Sequence, residues 1–168
     1  MTPQRKDQRR KAAIIAVGVI LSAGMTSGER PAKALINESH SLPRGLYLRV
    51  GQAIAPSAVV AIPQPAAARP YLKRWGFPDD MLLLKRVAAV GGDPVCALKG
   101  EVRTPGGQVR ATDRDRQGGM LPAWRGCRVL RADEVFLLGD TPESFDSRYF
   151  GPVRRADVVG VYREILTW

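Results

Sequence analysis

A lysine stands in the middle of the strongest strand signal of this chain, MLLLKRVAAVGGDPVC, from Met81 to Cys96. A continuous run rich in Leu and Val, closed by Gly-Gly-Asp, predicts a strand buried on both faces. Such a strand needs neighbours on either side, so the rest of the chain has to build a sheet around it. Alternation along an extended strand puts Lys85 on the face of Met81, Leu83 and Val87. Burial among those groups disfavours the ammonium form and lowers its pKa. A lysine that is neutral near pH 7 is a competent general base. The structural alternative is a lysine that snorkels to an edge or pairs with a carboxylate.

The remaining sequence supplies strands and turns and little helix. With 13 Pro and 17 Gly among 168 residues, a mainly β body is expected. GLYLRV (45–50) and SAVVAI (57–62) read as strands around the turn region GQAIAP, and EVFLLGD (134–140) and DVVGVYREILTW (157–168) read as later ones. The proline-rich connector 63–80 has room for one short helix between Ala66 and Trp75, started or interrupted by Pro70. Residues 97–126 read as a polar insertion with a hairpin tip at TPGG (104–107) and a solvated loop at DRDRQGG (113–119). Cys96 and Cys127 stand at its base, as a candidate disulfide or as two buried thiols.

The amino-terminal part has a different character. Residues 1–11 carry Arg5, Lys6, Arg9, Arg10 and Lys11 against Asp7, which accounts for +4 of the net charge of +10. The rest of the charge is spread without a nucleic-acid motif or a basic aromatic stripe, so no nucleic-acid partner is expected. Residues 12–28, AAIIAVGVILSAGMTSG, carry no charge. As a helix they would span about 25 Å, the short end of what crosses a bilayer. A basic flank before such a run predicts a single span with a cytoplasmic amino terminus and an exported body at 35–168. The alternative is a signal segment removed after Ala32-Lys33-Ala34. Either way the body would face an oxidising compartment.

A lysine base needs a nucleophile, and Ser-Lys pairs are a variation on the serine-histidine arrangement. NESHSLPRGLY (37–47) offers Ser39 and Ser41, with the only histidine between them. On an extended chain His40 would face away from both serines. A third cluster, GDTPESFDSRYFG (139–151), holds Ser144, Asp146 and Arg148 at spacing two, with Asp146 and Arg148 as a natural ion pair.

In their order and spacing, NESHSLPRGLY, LLLKRVAAVGGDPVC (82–96) and GDTPESFDSRYFGPV (139–153) together resemble the type I signal peptidase superfamily. The resemblance is closer to its conjugative-transfer branch, the TraF peptidases, because Leu42 is followed directly by Pro43 where housekeeping enzymes have Met-x-Pro. Thr141 stands where many relatives have Asn. The resemblance implies a signal-peptidase-like antiparallel β scaffold with one N-terminal transmembrane helix, sited in the bacterial inner membrane with its catalytic domain in the periplasm. It implies Ser41 as nucleophile, Lys85 as general base, Ser144 as the hydroxyl that holds the lysine amine, and Asp146 with Arg148 as the ion pair of the site. Ser39 matches the hydroxyl that assists the backbone N–H of Ser41 in the oxyanion hole. The expected partner is an exported precursor protein, a pilin-like subunit, with conjugation machinery around it. Ring closure by aminolysis is an alternative to hydrolysis, and no cofactor or metal is called for. Other readings are a housekeeping signal peptidase, a cytoplasmic Ser-Lys self-cleaving regulator and a non-catalytic periplasmic assembly factor.

Overall fold

The structure, a computed structural model, describes residues 32–168. The basic tail 1–11 and the apolar run 12–28 lie outside the described residues. Among the described residues no helix is long and apolar enough to cross a membrane.

Eleven strands form two antiparallel sheets. The larger sheet contains β1 (Ala34–Asn37), β2 (Gly45–Val50), β3 (Val59–Ile62), β4 (Leu83–Val90), β9 (Glu134–Leu138), β10 (Val153–Arg154) and β11 (Gly160–Thr167). Its order is β1-β2-β11-β3-β4-β9-β10. β4, which carries Lys85, is therefore interior, with β3 and β9 as its neighbours. Its run of apolar side chains follows from that position, because neither of its faces is left to water. Leu83 and Val87 join Val60, Ile62 and Leu137 on one face, while Leu84 joins Tyr47, Val59 and Ala61 on the other. Helix α1 (Arg69–Arg74) covers the first face through Leu72. Pro70 lies in its first turn and so starts the helix rather than interrupting it.

The residues expected to be a polar insertion are largely a second sheet. β5 (Pro94–Leu98), β6 (Glu101–Thr104), β7 (Gly107–Arg110) and β8 (Gly126–Val129) stack in the order β7-β6-β5-β8. These strands are four or five residues long; β5 and β6 bury one or two apolar groups each, β7 half-buries Val109, and β8 buries none. The buried groups are Val95, Ala97 and Val102, packing with Ala89 and Phe136 of the larger sheet. The Gly-Gly-Asp turn therefore ends β4 and passes the chain to this second layer. The hairpin tip falls where TPGG stands, between β6 and β7. Cys96 and Cys127 face each other across β5 and β8 and are joined as a disulfide. At the seam between the sheets Glu134, 4% exposed, takes a two-pronged bond from Arg128 at 2.6 and 2.9 Å. That bond, with help from Arg131, holds the Glu134 carboxyl down at about 2.

Candidate active site

Ser41 lies in the loop 38–44 that joins β1 to β2, above the rung Asn37 to Gly45. This segment is a turn and not an extended strand, so the alternation used to separate His40 from the serines does not apply to it. His40 is exposed and its Nε2 meets Arg44 Nη2 at 2.6 Å. Three contacts tie the loop to the body. Leu42 is buried at 2% exposure in the core face of Tyr47 and Leu84. The Tyr47 hydroxyl donates to Pro43 O at 2.8 Å. The backbone N–H of Asp140 donates to Ser41 O at 2.6 Å. Among the described residues no acceptor lies against the Ser41 N–H.

Lys85 is 3% exposed on β4, paired with Val60 of β3. On its other side Arg86 is paired with Leu138 of β9, and one further rung of that register sets Lys85 across from Gly139. Burial, the largest influence, lowers its pKa to about 8; Asp146 and Asp140 pull it back up, while Arg148 adds to the lowering. Among the described residues its amine makes no hydrogen bond shorter than the usual limit, and Ser144 Oγ is likewise buried without a partner. Arg86, next along β4, reaches the other way and clasps Asp140 with bonds of 2.8 and 2.7 Å.

Asp146 and Arg148 form a fully buried pair, 0% and 2% exposed. Spacing two would put these side chains on one face only if the segment were extended. Instead Asp146 is the N-cap of a single helical turn, α2 (Ser147–Phe150), and accepts the Arg148 backbone N–H at 3.1 Å. The Arg148 side chain then folds back onto the same carboxylate, with Nε to Oδ1 at 2.8 Å and Nη2 to Oδ2 at 2.7 Å. Oδ2 also accepts the N–H of Gly139 at 2.9 Å. The pair thus fixes the strand end beside Ser41.

Gly139 is where these pieces meet. A Cβ there would run into the Ser144 side chain and lie 2.8 Å from Ser41 O. Gly139→Ala is expected to lower stability by about 1–3 kcal/mol, the usual cost of overpacking. Urea unfolding of the full chain would measure it, and an unchanged midpoint would mean that Ser144 and the loop yield freely.

Ser41 and Ser144 therefore meet at Gly139, Asp146 holds that residue by its N–H, and Lys85 lies on β4 one residue before the Arg86–Leu138 pair. The Ser39 hydroxyl is turned to Asn37 Oδ1 at 2.7 Å. Cys96 and Cys127 belong to the second sheet and not to this cluster. Asn37 and the Arg86–Asp140 clasp were not foreseen. A loop-closing Asn at the end of a strand is a signal that turn chemistry offers; Arg86 and Asp140, 54 residues apart in sequence, gave none.

An open depression lined by His40, Leu42, Pro43, Arg44, Asp140, Thr141 and Trp168 flanks the loop.

Comparison with known proteins reaches the same ground independently. The family described as "Signal peptidase, peptidase S26" matches residues 8–168. A plasmid transfer protein TraF of Escherichia coli is 32% identical over 170 residues, covering 94% of this chain and 91% of its own. A probable conjugal transfer protein TraF of Sinorhizobium fredii is 34% identical over 167 residues, covering 91% and 84%. A solved signal peptidase I from Enterococcus faecalis V583 is similar at 21% identity and a TM-score of 0.41, covering 66% of this chain and 97% of that one. Since both the family match and relatives above 30% identity take in the loop of Ser41, the strand of Lys85 and the turn of Asp146, the chain belongs to the signal peptidase family, peptidase S26.

Proposed function

We propose that this chain is a membrane-anchored serine endopeptidase that processes an exported precursor, a pilin-like subunit of a conjugation system, with Ser41 and Lys85 as its dyad. The observation that carries the reading is Lys85, a buried lysine on an interior strand with its pKa lowered to about 8. About a tenth of it is then neutral at pH 7 and about a half at pH 8, and that fraction is able to take a proton. In the reaction Ser41 Oγ attacks the peptide carbonyl as its proton passes to the Lys85 amine. The backbone N–H of Ser41 faces the developing oxyanion. Ser39 stands as the assisting hydroxyl, a duty for which its proton must turn away from Asn37. The C–N bond then breaks, the lysine ammonium gives its proton to the leaving amine, and an ester to Ser41 remains. Water resolves it to an acid, or an amine of the same product resolves it to a ring. Ser144, whose buried hydroxyl has no partner among the described residues, is the group assigned to take up the lysine amine during the reaction.

The conjugation setting rests on the relatives, which carry the names of plasmid and conjugal transfer proteins. A retained span at 12–28, with the body in the periplasm, rests on the basic flank before it and on the fate of Ala32-Lys33-Ala34. Ala34 is paired with Leu48, Lys33 O accepts from Arg49 N at 2.8 Å, and Ala32 O accepts from Tyr162 at 2.8 Å. A cleavage site there would have to leave the sheet first.

The test is to co-express the full chain with a candidate pilin precursor and follow product mass. Wild type is expected to convert the precursor, while Ser41→Ala and Lys85→Ala are expected to lose on the order of 10⁴-fold or more. Equal conversion by all three would remove the dyad. A product one water lighter than the linear peptide would assign ring closure.

A further inference from the structure

We infer that Asn37 is the positioning residue of the nucleophile loop, a role that rests on reading Ser41 as the nucleophile. Asn37 ends β1 and is 6% exposed, with its side chain in the mouth of the loop 38–44. Its amide nitrogen lies within hydrogen-bond distance of three carbonyls, Ser39 O at 3.1 Å, Leu42 O at 3.0 Å and Pro43 O at 3.0 Å. Its Oδ1 accepts the Ser39 backbone N–H at 3.2 Å and the Ser39 hydroxyl at 2.7 Å. The bonded groups stand before and after Ser41 in sequence, so one side chain sets the curvature of the backbone that carries the reactive hydroxyl.

The chemistry admits few substitutes. The position needs donors and an acceptor at the end of a two-carbon stem, and an amide supplies both. Aspartate keeps the acceptor but would face three carbonyls with a carboxylate. Alanine leaves the carbonyls of Leu42 and Pro43 without their buried partner, and the Tyr47 hydroxyl on Pro43 O is then the loop's remaining side-chain bond on that flank. Asn37 makes no bond to Lys85; what it holds is the backbone on either side of Ser41, including Leu42 and Pro43, which also line the depression. A displacement of about 1 Å at a reacting atom can cost on the order of a hundredfold.

Kinetics of precursor cleavage by the full chain in detergent would test this for Asn37→Ala, Asn37→Asp and, as control, Ser41→Ala. Circular dichroism would supply the folded fraction at the assay temperature. The expected result is a kcat per folded molecule lowered about a hundredfold in both Asn37 variants, with a smaller rise in KM because Leu42 and Pro43 also line the depression. A role in stability alone would lower the folded fraction and leave kcat per folded molecule at the wild-type value, which would overturn the inference. So would a loss confined to KM, or a kcat loss smaller than about tenfold, because a misplaced nucleophile costs more. Should Asn37→Ala not fold, Asn37→Asp carries the test, since it keeps the size and both bonds from Ser39. Failure of both to fold would make Asn37 a support of the whole hairpin and would also overturn the inference. An active Ser41→Ala enzyme would instead overturn the reading of the nucleophile, and the two failures are told apart by that control.

Discussion

Lys85→Met is expected to abolish processing and, at neutral pH, to make the chain harder to unfold. Methionine fills nearly the same volume with no charge, among Leu83, Val87 and Leu137, which already form that face. In the wild type the lysine pKa falls from its ordinary 10.5 to about 8 on folding, through burial. The unfolded chain therefore binds a proton at this site that the folded chain gives up between those values. Stability from this group rises as pH climbs from about 8 toward 10.5, and below about 8 the fold carries the whole cost of a buried ammonium. At 1.36 kcal/mol per tenfold, that cost is on the order of 3 kcal/mol. Urea unfolding at pH 6.5 and pH 10 would read it, with Lys85→Met the more stable protein at the lower pH and the difference shrinking at the higher. A difference that does not change with pH would mean that the amine is not desolvated. The wild-type kcat/KM should climb about tenfold per pH unit up to about 8, in step with the neutral amine.

The strand around Lys85 was legible because an interior strand has no polar face, and a charge in its middle stands out against that background. TPGG marked a hairpin tip for an equally local reason, a turn, while Pro70 left open whether it starts or interrupts the short helix until the structure placed it in the first turn. The second sheet was not legible in the same way. β6 turns Val102 inward and exposes most of its remaining length, so its pattern is that of a polar loop until β5 and Phe136 are brought against it. The cluster at 139–148 lay between these extremes. Its charged pair was evident from the sequence, but spacing two assigns a shared face only if the backbone is extended, and the segment instead forms a helical turn capped by the bond that the Arg148 N–H donates to Asp146. Asn37 was hidden for a further reason. Its importance lies in carbonyls five and six residues on, and backbone carbonyls leave no trace in a sequence.

Arg148→Ala is expected to be the most damaging single change in the described residues, at about 3–5 kcal/mol, the cost of removing one partner from a buried ion pair. The guanidinium does more than neutralise Asp146. It also donates to Arg110 O at 2.9 Å, Pro142 O at 2.8 Å, Thr141 O at 3.1 Å and Ser144 O at 2.9 Å. Removing it leaves the buried Asp146 charge with only the backbone N–H groups of Gly139 and residue 148, and takes one bond from each of the four carbonyls. For a domain with a typical stability of about 5–15 kcal/mol, that loss takes much of the margin. Arg148→Lys should recover little, because three donors on one point charge cannot reach acceptors spread around a planar fork. Asp146→Asn should cost less than either, since the cap and one oxygen acceptor survive and the remaining arginine still satisfies the carbonyls. Urea midpoints for the three variants are therefore expected to fall in that order, with Arg148→Ala and Arg148→Lys well below Asp146→Asn. A stable Arg148→Lys would mean that charge alone holds the turn. If the fork is what matters, Asp146→Asn should leave Gly139 held less firmly while the domain stays folded, so that any loss of processing in it reports on the placement of Ser144 and the Ser41 loop rather than on unfolding.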